Sequence, residues 1–293
     1  MKDQRPILFW GGDARSRAMA ERLAVLGARV ITYGLGTFGR EYGIESVEQL
    51  EPYWQECRAI LLPMPAFDVG QHVPFPYDPK TPPLDAHELF GMIGSTVPVY
   101  GGRISPSIYA LAADFAVTLN DYAVSEEVQI RNAVPTAEGA IALAMEALDI
   151  TLCGARVAVL GYGRIGTALA RRLQLLGAHV TVGARKGKDL ARAQGDFCQG
   201  LLVTDAAQLA SLCEGYDVIF NTIPCRLLTD EMLAQMPERT VLIELASPPG
   251  GWDGNAPSVC RRINGQGLPG KYAPRTAGML LADALWKQLE RGD

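Results

Sequence analysis

Histidine is scarce in this chain: three occur among 293 residues, His72, His87 and His179. They are far apart and share no ligand spacing, so no metal site is expected from them. Six cysteines, Cys57, Cys153, Cys198, Cys213, Cys225 and Cys260, include no CxxC pair. They read as reduced, mostly structural thiols rather than a disulfide or zinc framework. No apolar run approaches the roughly 18–20 residues of a membrane span. Basic residues are outnumbered, 27 against 32 acidic, for a net charge of −5, and no long basic run occurs. Nucleic acid is therefore not an expected partner. The opening residues, Met1 to Pro6, lack the apolar core of a signal peptide, which points to the cytoplasm.

What is present is ordinary for a globular protein: 48% hydrophobic and 20% charged residues, in a length that allows two domains. The chain opens as a β-turn-α-β unit. Ile7–Trp10 is a short buried strand, Gly11-Gly12-Asp13 a turn, and Ala14–Leu26 a helix with Met19, Leu23 and Leu26 on one face; Arg29–Tyr33 is the next strand. Arg58–Leu62 and Val97–Tyr100 read as further buried strands. Ser105-Pro106 starts a helix, with serine as N-cap and proline at the first helical position. Between them, residues 63–83 hold seven prolines (Pro63, Pro65, Pro74, Pro76, Pro79, Pro82 and Pro83) and are expected to form an irregular surface loop.

Pro135-Thr136 is expected to open a helix over Ala137–Leu148 that crosses between lobes, capped by Thr136 and with Glu138 in the favourable field of its N-terminus. A second βαβ run follows. The last helix, Thr276–Leu289, is expected to return to the first lobe. The predicted fold is α/β, with two Rossmann-like lobes of parallel sheet joined by a crossing helix. Residues 1–130 form a Rossmann-like or flavodoxin-like domain on the substrate side. Residues 131–275 form the nucleotide-binding domain with its leading helix, and 276–293 the returning helix.

The most informative motif is Arg156–Leu160 followed by Gly161-Tyr162-Gly163-Arg164-Ile165-Gly166. A lone GxGxxG is weak, but here a buried strand precedes it and an amphipathic helix, Arg164–Leu176, follows. Gly161 makes the turn, Gly163 lets backbone approach a pyrophosphate, and Gly166 lets helix pack on strand. The phosphates would rest on free N–H groups at the helix start. An NAD site usually ends the second strand with an acid that accepts from the ribose 2′-hydroxyl. Here that stretch is Val182-Gly183-Ala184-Arg185-Lys186-Gly187-Lys188, with no acid before Asp189. Arg185, with Lys186 or Lys188, suits a 2′-phosphate, so the cofactor is expected to be NADP. Later strands end at Asn221-Thr222-Ile223-Pro224 and Ala246-Ser247-Pro248-Pro249-Gly250-Gly251, where Asn221, Thr222, Pro224 and Ser247 are candidate cofactor contacts.

The layout is similar to the D-2-hydroxyacid dehydrogenases, in which a histidine near the start of the last helix acts as base. Here that stretch is Ala273-Pro274-Arg275-Thr276-Ala277-Gly278, and no histidine follows His179. Arginine does not lose its proton at neutral pH, but it can clamp a carboxylate with two parallel hydrogen bonds.

The motifs converge on one family. Gly11-Gly12-Asp13-Ala14-Arg15, Pro135-Thr136-Ala137-Glu138-Gly139, the glycine loop, Val182-Gly183-Ala184-Arg185, Asn221-Thr222-Ile223-Pro224, Leu245-Ala246-Ser247-Pro248-Pro249-Gly250-Gly251 and Gly267-Leu268-Pro269-Gly270-Lys271-Tyr272-Ala273-Pro274-Arg275-Thr276-Ala277-Gly278 span nearly the whole chain. Together they resemble the dipicolinate synthase A-subunit family of spore-forming bacteria. The resemblance implies NADP-dependent oxidation of dihydrodipicolinate, or of its hydrated tetrahydro precursor, to pyridine-2,6-dicarboxylate during sporulation. It implies the flavoprotein-like B-subunit of dipicolinate synthase as partner, a homo-oligomer, and a place in the mother cell. For a substrate with two carboxylates, Arg275, Lys271 and Arg103 are the candidate cations, with Ser105 and Thr136 adding donors at helix starts. Glu138 or water is the candidate acceptor of the departing proton. Competing readings stay open: surface cations for Arg103 and Lys271, plain capping for Ser105 and Thr136, a helix-dipole partner for Glu138. At the level of the chain they are an NADP enzyme acting on a keto or hydroxy acid, and a nucleotide-binding scaffold without catalysis of its own.

Overall fold

The computed structural model describes residues 3–50, 53–81, 83–253 and 259–291. Pro82 of the proline-rich stretch lies outside them. The chain divides into two compact units, residues 1–131 with 273–293, and residues 132–272.

In the first unit the elements run β1 (Ile7–Trp10), α1 (Ala14–Val25), β2 (Val30–Tyr33), β3 (Glu45–Val47), β4 (Ala59–Leu61), β5 (His72–Val73), β6 (Leu84–Asp85), α2 (Ala86–Ile93), β7 (Val99–Gly101), α3 (Pro106–Asp114) and β8 (Leu119–Asp121). The main sheet has the order β3-β2-β1-β4-β7-β8, and every pair in it is parallel. β1 is buried at all four residues, as a central strand covered on both faces must be. This is the Rossmann strand order, so the flavodoxin-like alternative falls away.

A helix shared by the units follows, α4 (Glu126–Ala147). It does not begin at Pro135, as the sequence suggested. Its N-cap is Ser125, whose Oγ accepts from the Val128 N–H at 3.3 Å. Pro135 therefore sits inside the helix, where it withholds one hydrogen bond from the carbonyl four residues earlier. Thr136 is buried mid-helix. Its hydroxyl donates back to the Asn132 carbonyl at 2.8 Å, so it caps nothing.

The second unit continues with β9 (Arg156–Leu160), α5 (Arg164–Leu175), β10 (His179–Ala184), α6 (Gly187–Gly195), β11 (Gln199–Leu202), α7 (Ala206–Ala210), β12 (Val218–Asn221), α8 (Asp230–Gln235), β13 (Val241–Glu244), β14 (Arg261–Asn264) and α9 (Leu268–Tyr272). Its sheet has the order β11-β10-β9-β12-β13-β14 and is likewise parallel throughout. Residues from β9, β10, β12 and β13 form its core with one face of α5.

The last helix, α10 (Pro274–Arg291), belongs to the first unit. It starts two residues before the predicted Thr276. It lies along α1: Leu281, Leu285 and Leu289 join Met19 and Leu23 in one apolar cluster. Arg22 Nε meets Asp283 Oδ1 at 2.7 Å. Burying one leucine contributes about 1.5–3 kcal/mol, so three of them fix this helix far more firmly than the exposed ion pair does.

The proline-rich stretch is more ordered than its composition predicts. β5 and β6 form a two-residue antiparallel ladder. Between them the Pro74 carbonyl accepts from the Gly12 N–H at 2.9 Å, which draws this loop onto the first βα turn.

Candidate functional site

The glycine loop of the second unit has the geometry a pyrophosphate needs. Gly161 adopts φ +100°, which L side chains rarely do. A Cβ on Gly166 would overlap the Gly161 carbonyl oxygen, so this glycine sets the helix-to-strand distance. Gly163 is the N-cap of α5, has no side-chain cap, and would meet nothing within 4 Å if it carried a Cβ. The start of α5 thus has no side-chain cap and stands beside a glycine with open space at its Cβ position, an arrangement that suits a dinucleotide phosphate.

The residues between these glycines have other tasks. Tyr162 is buried and its hydroxyl donates to Asp196 Oδ2, so only its backbone is left for a ligand. Arg171 Nε also donates to Asp196 Oδ2, at 2.9 Å. The guanidinium first, and then the tyrosine hydroxyl, hold the Asp196 carboxyl below the usual carboxylate range. Ile165 packs on the core, and Arg164 is exposed.

β10 ends at Ala184, and Arg185, Lys186 and Lys188 are all exposed. Lys186 is the N-cap of α6 and makes no side-chain cap bond. Asp189, the nearest acid in sequence, faces Arg192 at 3.7 Å. The end of the second strand therefore offers cations and a bare helix start.

At the carboxyl ends of β12 and β13 the predicted contacts are partly engaged by the fold. Asn221 is fully buried. Its amide donates to Glu244 Oε1 at 2.8 Å and to the Ile223 carbonyl at 3.0 Å, while its Oδ1 accepts from the Ile223 N–H at 3.1 Å. Thr222 Oγ1 donates to the Leu160 carbonyl at 2.8 Å. Pro224 and Ser247 are exposed on the loops beyond. Sequence reasoning missed Glu244. Its signal was a polar residue at the end of an otherwise apolar strand, in register with Asn221.

Three candidates for substrate chemistry lie in the second unit and are drawn elsewhere. Thr136 is inside α4, bonded to its own helix. Glu138 is exposed and faces Arg172 Nε at 3.6 Å. Arg172 is eight residues into α5, roughly 12 Å from its start at about 1.5 Å per residue. The Arg172 guanidinium reaches back to the Ala168 carbonyl, one turn nearer that start, and Glu138, inside α4, is not at a helix start. Lys271 Nζ donates to Tyr272 Oη at 3.1 Å, and Tyr272 Oη donates to Glu146 Oε1 at 3.1 Å. That phenol contact raises the Lys271 pKa, as do, less strongly, the nearby negative charges.

The other candidates lie in the first unit, at the carboxyl edge of its sheet. Arg103 and Ser105 line one small cavity of about 230 Å³ with Asp68, Gln71 and Ser107. Arg103 has φ +56°, unusual for a residue with a side chain. Ser105 caps α3 as predicted, accepting from the Ile108 N–H at 3.4 Å, with Pro106 at the helix start. Arg275 is exposed in the first turn of α10 and forms no ion pair with any described residue. Among the described residues no group of His, Cys, Asp and Glu could hold a metal ion, and no helix is long and apolar enough to cross a membrane.

Residues 6–123 match the family described as the N-terminal domain of the dipicolinate synthase A-subunit. Residues 102–247 match the D-isomer specific 2-hydroxyacid dehydrogenase, NAD binding domain. The chain is 32% identical over 286 residues to the dipicolinate synthase A-subunit of Bacillus subtilis (strain 168), across 97% of this chain and 95% of that one. The chain belongs to the dipicolinate synthase A-subunit family. The crystal structure of the dipicolinate synthase A-subunit from Bacillus halodurans superposes with a TM-score of 0.87 at 32% identity, covering 99% of each chain. The A chain of dipicolinate synthase from Bacillus subtilis gives 0.83 at 28%, covering 100% of this chain and 99% of that one. A transhydrogenase from Sinorhizobium meliloti, at 0.73 and 18% identity over 98% of this chain and 94% of that one, shares the fold alone. The NAD-binding match marks the second unit as a nicotinamide-dinucleotide domain of the dehydrogenase kind.

Two glycines in the stretches that carry the family resemblance have local physical reasons. A Cβ on Gly139 would stand 2.9 Å from the Leu268 Cβ, so this glycine lets α9 lie against α4. A Cβ on Gly278 would overlap the Arg15 carbonyl oxygen, so α10 approaches α1 backbone to backbone.

Proposed function

We propose that this chain catalyses oxidation of dihydrodipicolinate to dipicolinate, with NADP⁺ as acceptor and a flavoprotein-like B-subunit as partner. The reaction balances as dihydrodipicolinate plus NADP⁺ giving dipicolinate, NADPH and a proton. The observation that carries the reading is the open glycine cradle at α5, in a chain that matches the family from end to end. When bound, the dinucleotide supplies hydride acceptance. The preference for NADP rests on Arg185, Lys186 and Lys188 at an uncapped helix start, with no acid at the end of β10 to repel a 2′-phosphate.

The chain's own task is orientation. Formation of the aromatic ring is strongly downhill, so holding the substrate matters more than a strong base. Arg275 can clamp one carboxylate with two parallel hydrogen bonds. Arg103 and the Ser105-capped start of α3 suit a carboxylate as well, and the left-handed backbone of Arg103 is the sort of local cost that functional sites retain. The departing proton is assigned to water, because the Glu138 carboxylate faces Arg172.

The test is a rate assay with dihydrodipicolinate generated in situ. Reduced nicotinamide and the aromatic product are followed together, with NADP⁺ or NAD⁺, with and without the B-subunit. Both signals rising with NADP⁺ are expected. Binding of NADP⁺ without any NADPH would favour a nucleotide-binding scaffold without catalysis. Turnover of keto or hydroxy acids alone would favour a different dehydrogenase.

A further inference from the structure

We propose that Glu244 is a positioning residue for the nicotinamide half of the dinucleotide, an inference that rests on the dinucleotide reading of the second unit. Glu244 and Asn221 end adjacent parallel strands and stand opposite each other in register. Three donors converge on the Glu244 carboxylate. Asn221 Nδ2 reaches Oε1 at 2.8 Å, the Ala246 N–H reaches Oε1 at 2.9 Å, and the Gly251 N–H reaches Oε2 at 2.7 Å. The Gly251 carbonyl in turn accepts from the N–H groups of Leu227 and Leu228, at 2.7 and 2.9 Å. One carboxylate therefore ties together the two loops that leave β12 and β13, residues 222–228 and 245–251.

The glycines of the Pro-Pro-Gly-Gly turn make this closure possible. A Cβ on Gly250 would come to 2.8 Å from Glu244 Oε2, and one on Gly251 would overlap Asn221 Nδ2. Only bare backbone can wrap so closely around the pair.

The place of these loops gives the tie its function. In a doubly wound sheet a dinucleotide lies across the carboxyl edge at the point where strand order reverses. Here that point lies between β9 and β12. The phosphates take the start of α5, and the cations after β10 take the adenosine end. The other half must then cross the ends of β12 and β13, over the loops that Glu244 holds. Glu244 itself lines a cavity of about 440 Å³ at this edge, with Pro248, Trp252, Arg262 and Asn264. Its three donors are all neutral, an arrangement that fixes loop geometry.

The test compares two ligands on the full chain by calorimetry: NADP⁺, and adenosine 2′,5′-bisphosphate, which carries only the adenosine half. Glu244→Gln keeps the shape but turns one oxygen into a donor facing donors. Its NADP⁺ affinity should fall about tenfold, the worth of roughly one hydrogen bond, with adenosine 2′,5′-bisphosphate unchanged. Gly251→Ala should show the same selective loss without touching the carboxylate. The change in NADPH fluorescence on binding should diminish in both. Equal loss of both ligands in both variants would make Glu244 a support of the whole unit and overturn the proposal, as would no loss of either. Failure of the wild-type chain to bind either ligand would instead sink the dinucleotide reading first, and this inference with it.

Discussion

The two units carry the same sheet order and the same strand-turn-helix opening, yet their turns differ position by position. Gly11 corresponds to Gly161, Gly12 to Tyr162, and Asp13 to Gly163, each ahead of a helix. In the first unit the place for an anion is already filled. Asp13 caps α1 with its own carboxylate, accepting from the Arg15 N–H at 2.9 Å. Arg15 grips that carboxylate with two nitrogens and also donates to the Met64 carbonyl. The Gly12 N–H is held by Pro74, and a Cβ on Gly11 would stand 2.7 Å from the Pro74 oxygen. In the second unit Gly163 leaves the start of α5 bare and the space before it open. With one sheet order in both units, one side chain and one overlying loop distinguish the two turns.

The sharpest way to break this comparison is to write the first turn into the second. Gly163→Asp adds a carboxylate where a Cβ meets nothing, so folding should survive. An aspartate N-cap is worth a few tenths of a kcal/mol over glycine, so the melting temperature should hold or rise slightly. Dinucleotide affinity should fall by at least about 100-fold, or about 2.7 kcal/mol, as the carboxylate takes the phosphate's place. Wild-type affinity in this variant, measured by calorimetry, would show that the open N-cap is not the deciding feature.

Next in size is Arg185→Asp, which addresses which dinucleotide the open turn accepts. NADP⁺ affinity should drop by about 10–100-fold through loss of a charge-assisted phosphate contact and gain of a repulsive one. NAD⁺ affinity should stay the same or improve. Equal losses for the two cofactors would remove Arg185 from the 2′-phosphate site.

The reverse change in the first unit should leave binding alone. Asp13→Ala removes the cap of α1 and the counter-charge of Arg15, whose side chain is only 11% exposed. A stability loss of about 1–2 kcal/mol is expected. Cofactor affinity should not move if the nucleotide is held at the turn of the second unit. A parallel loss of NADP⁺ binding in this variant would mean that the first turn contributes to the cofactor site after all.

These outcomes bear on what the sequence could reveal. The central strands were legible because a strand buried on both faces is a short apolar run bounded by glycine, as in Ile7–Trp10 and Arg156–Leu160. The glycine loop was legible because its three glycines answer to backbone geometry alone. The start of α4 was misread because Pro135-Thr136 imitates a helix opening, while the true cap is Ser125, ten residues earlier than Pro135. Thr136 and Glu138 lost their places at a helix start with that shift. The partner of Glu244 and the Pro74 latch were invisible for another reason. Each acts through a tie between distant segments, Asn221 to Glu244 and Gly12 to Pro74, and local pattern contains no trace of such pairing.

The smallest effect concerns Tyr162, the residue that stands where the first turn has Gly12. Its side chain ties the glycine loop to the end of α6 through Asp196. Tyr162→Phe should cost about 1 kcal/mol or less, one hydrogen bond at a partly exposed carboxylate. The cost should depend on acidity in a definite direction. Arg171 and then Tyr162 lower the Asp196 pKa in the folded chain, so the stability they contribute is complete above the ordinary carboxylate range. It fades as pH falls through that range toward the lower folded value. The gap between wild type and Tyr162→Phe, read from urea melts at several pH values, should therefore be widest near neutrality and narrow in acid. A gap that stays constant with pH would mean that the tyrosine hydroxyl holds the turn without help from the charge on Asp196.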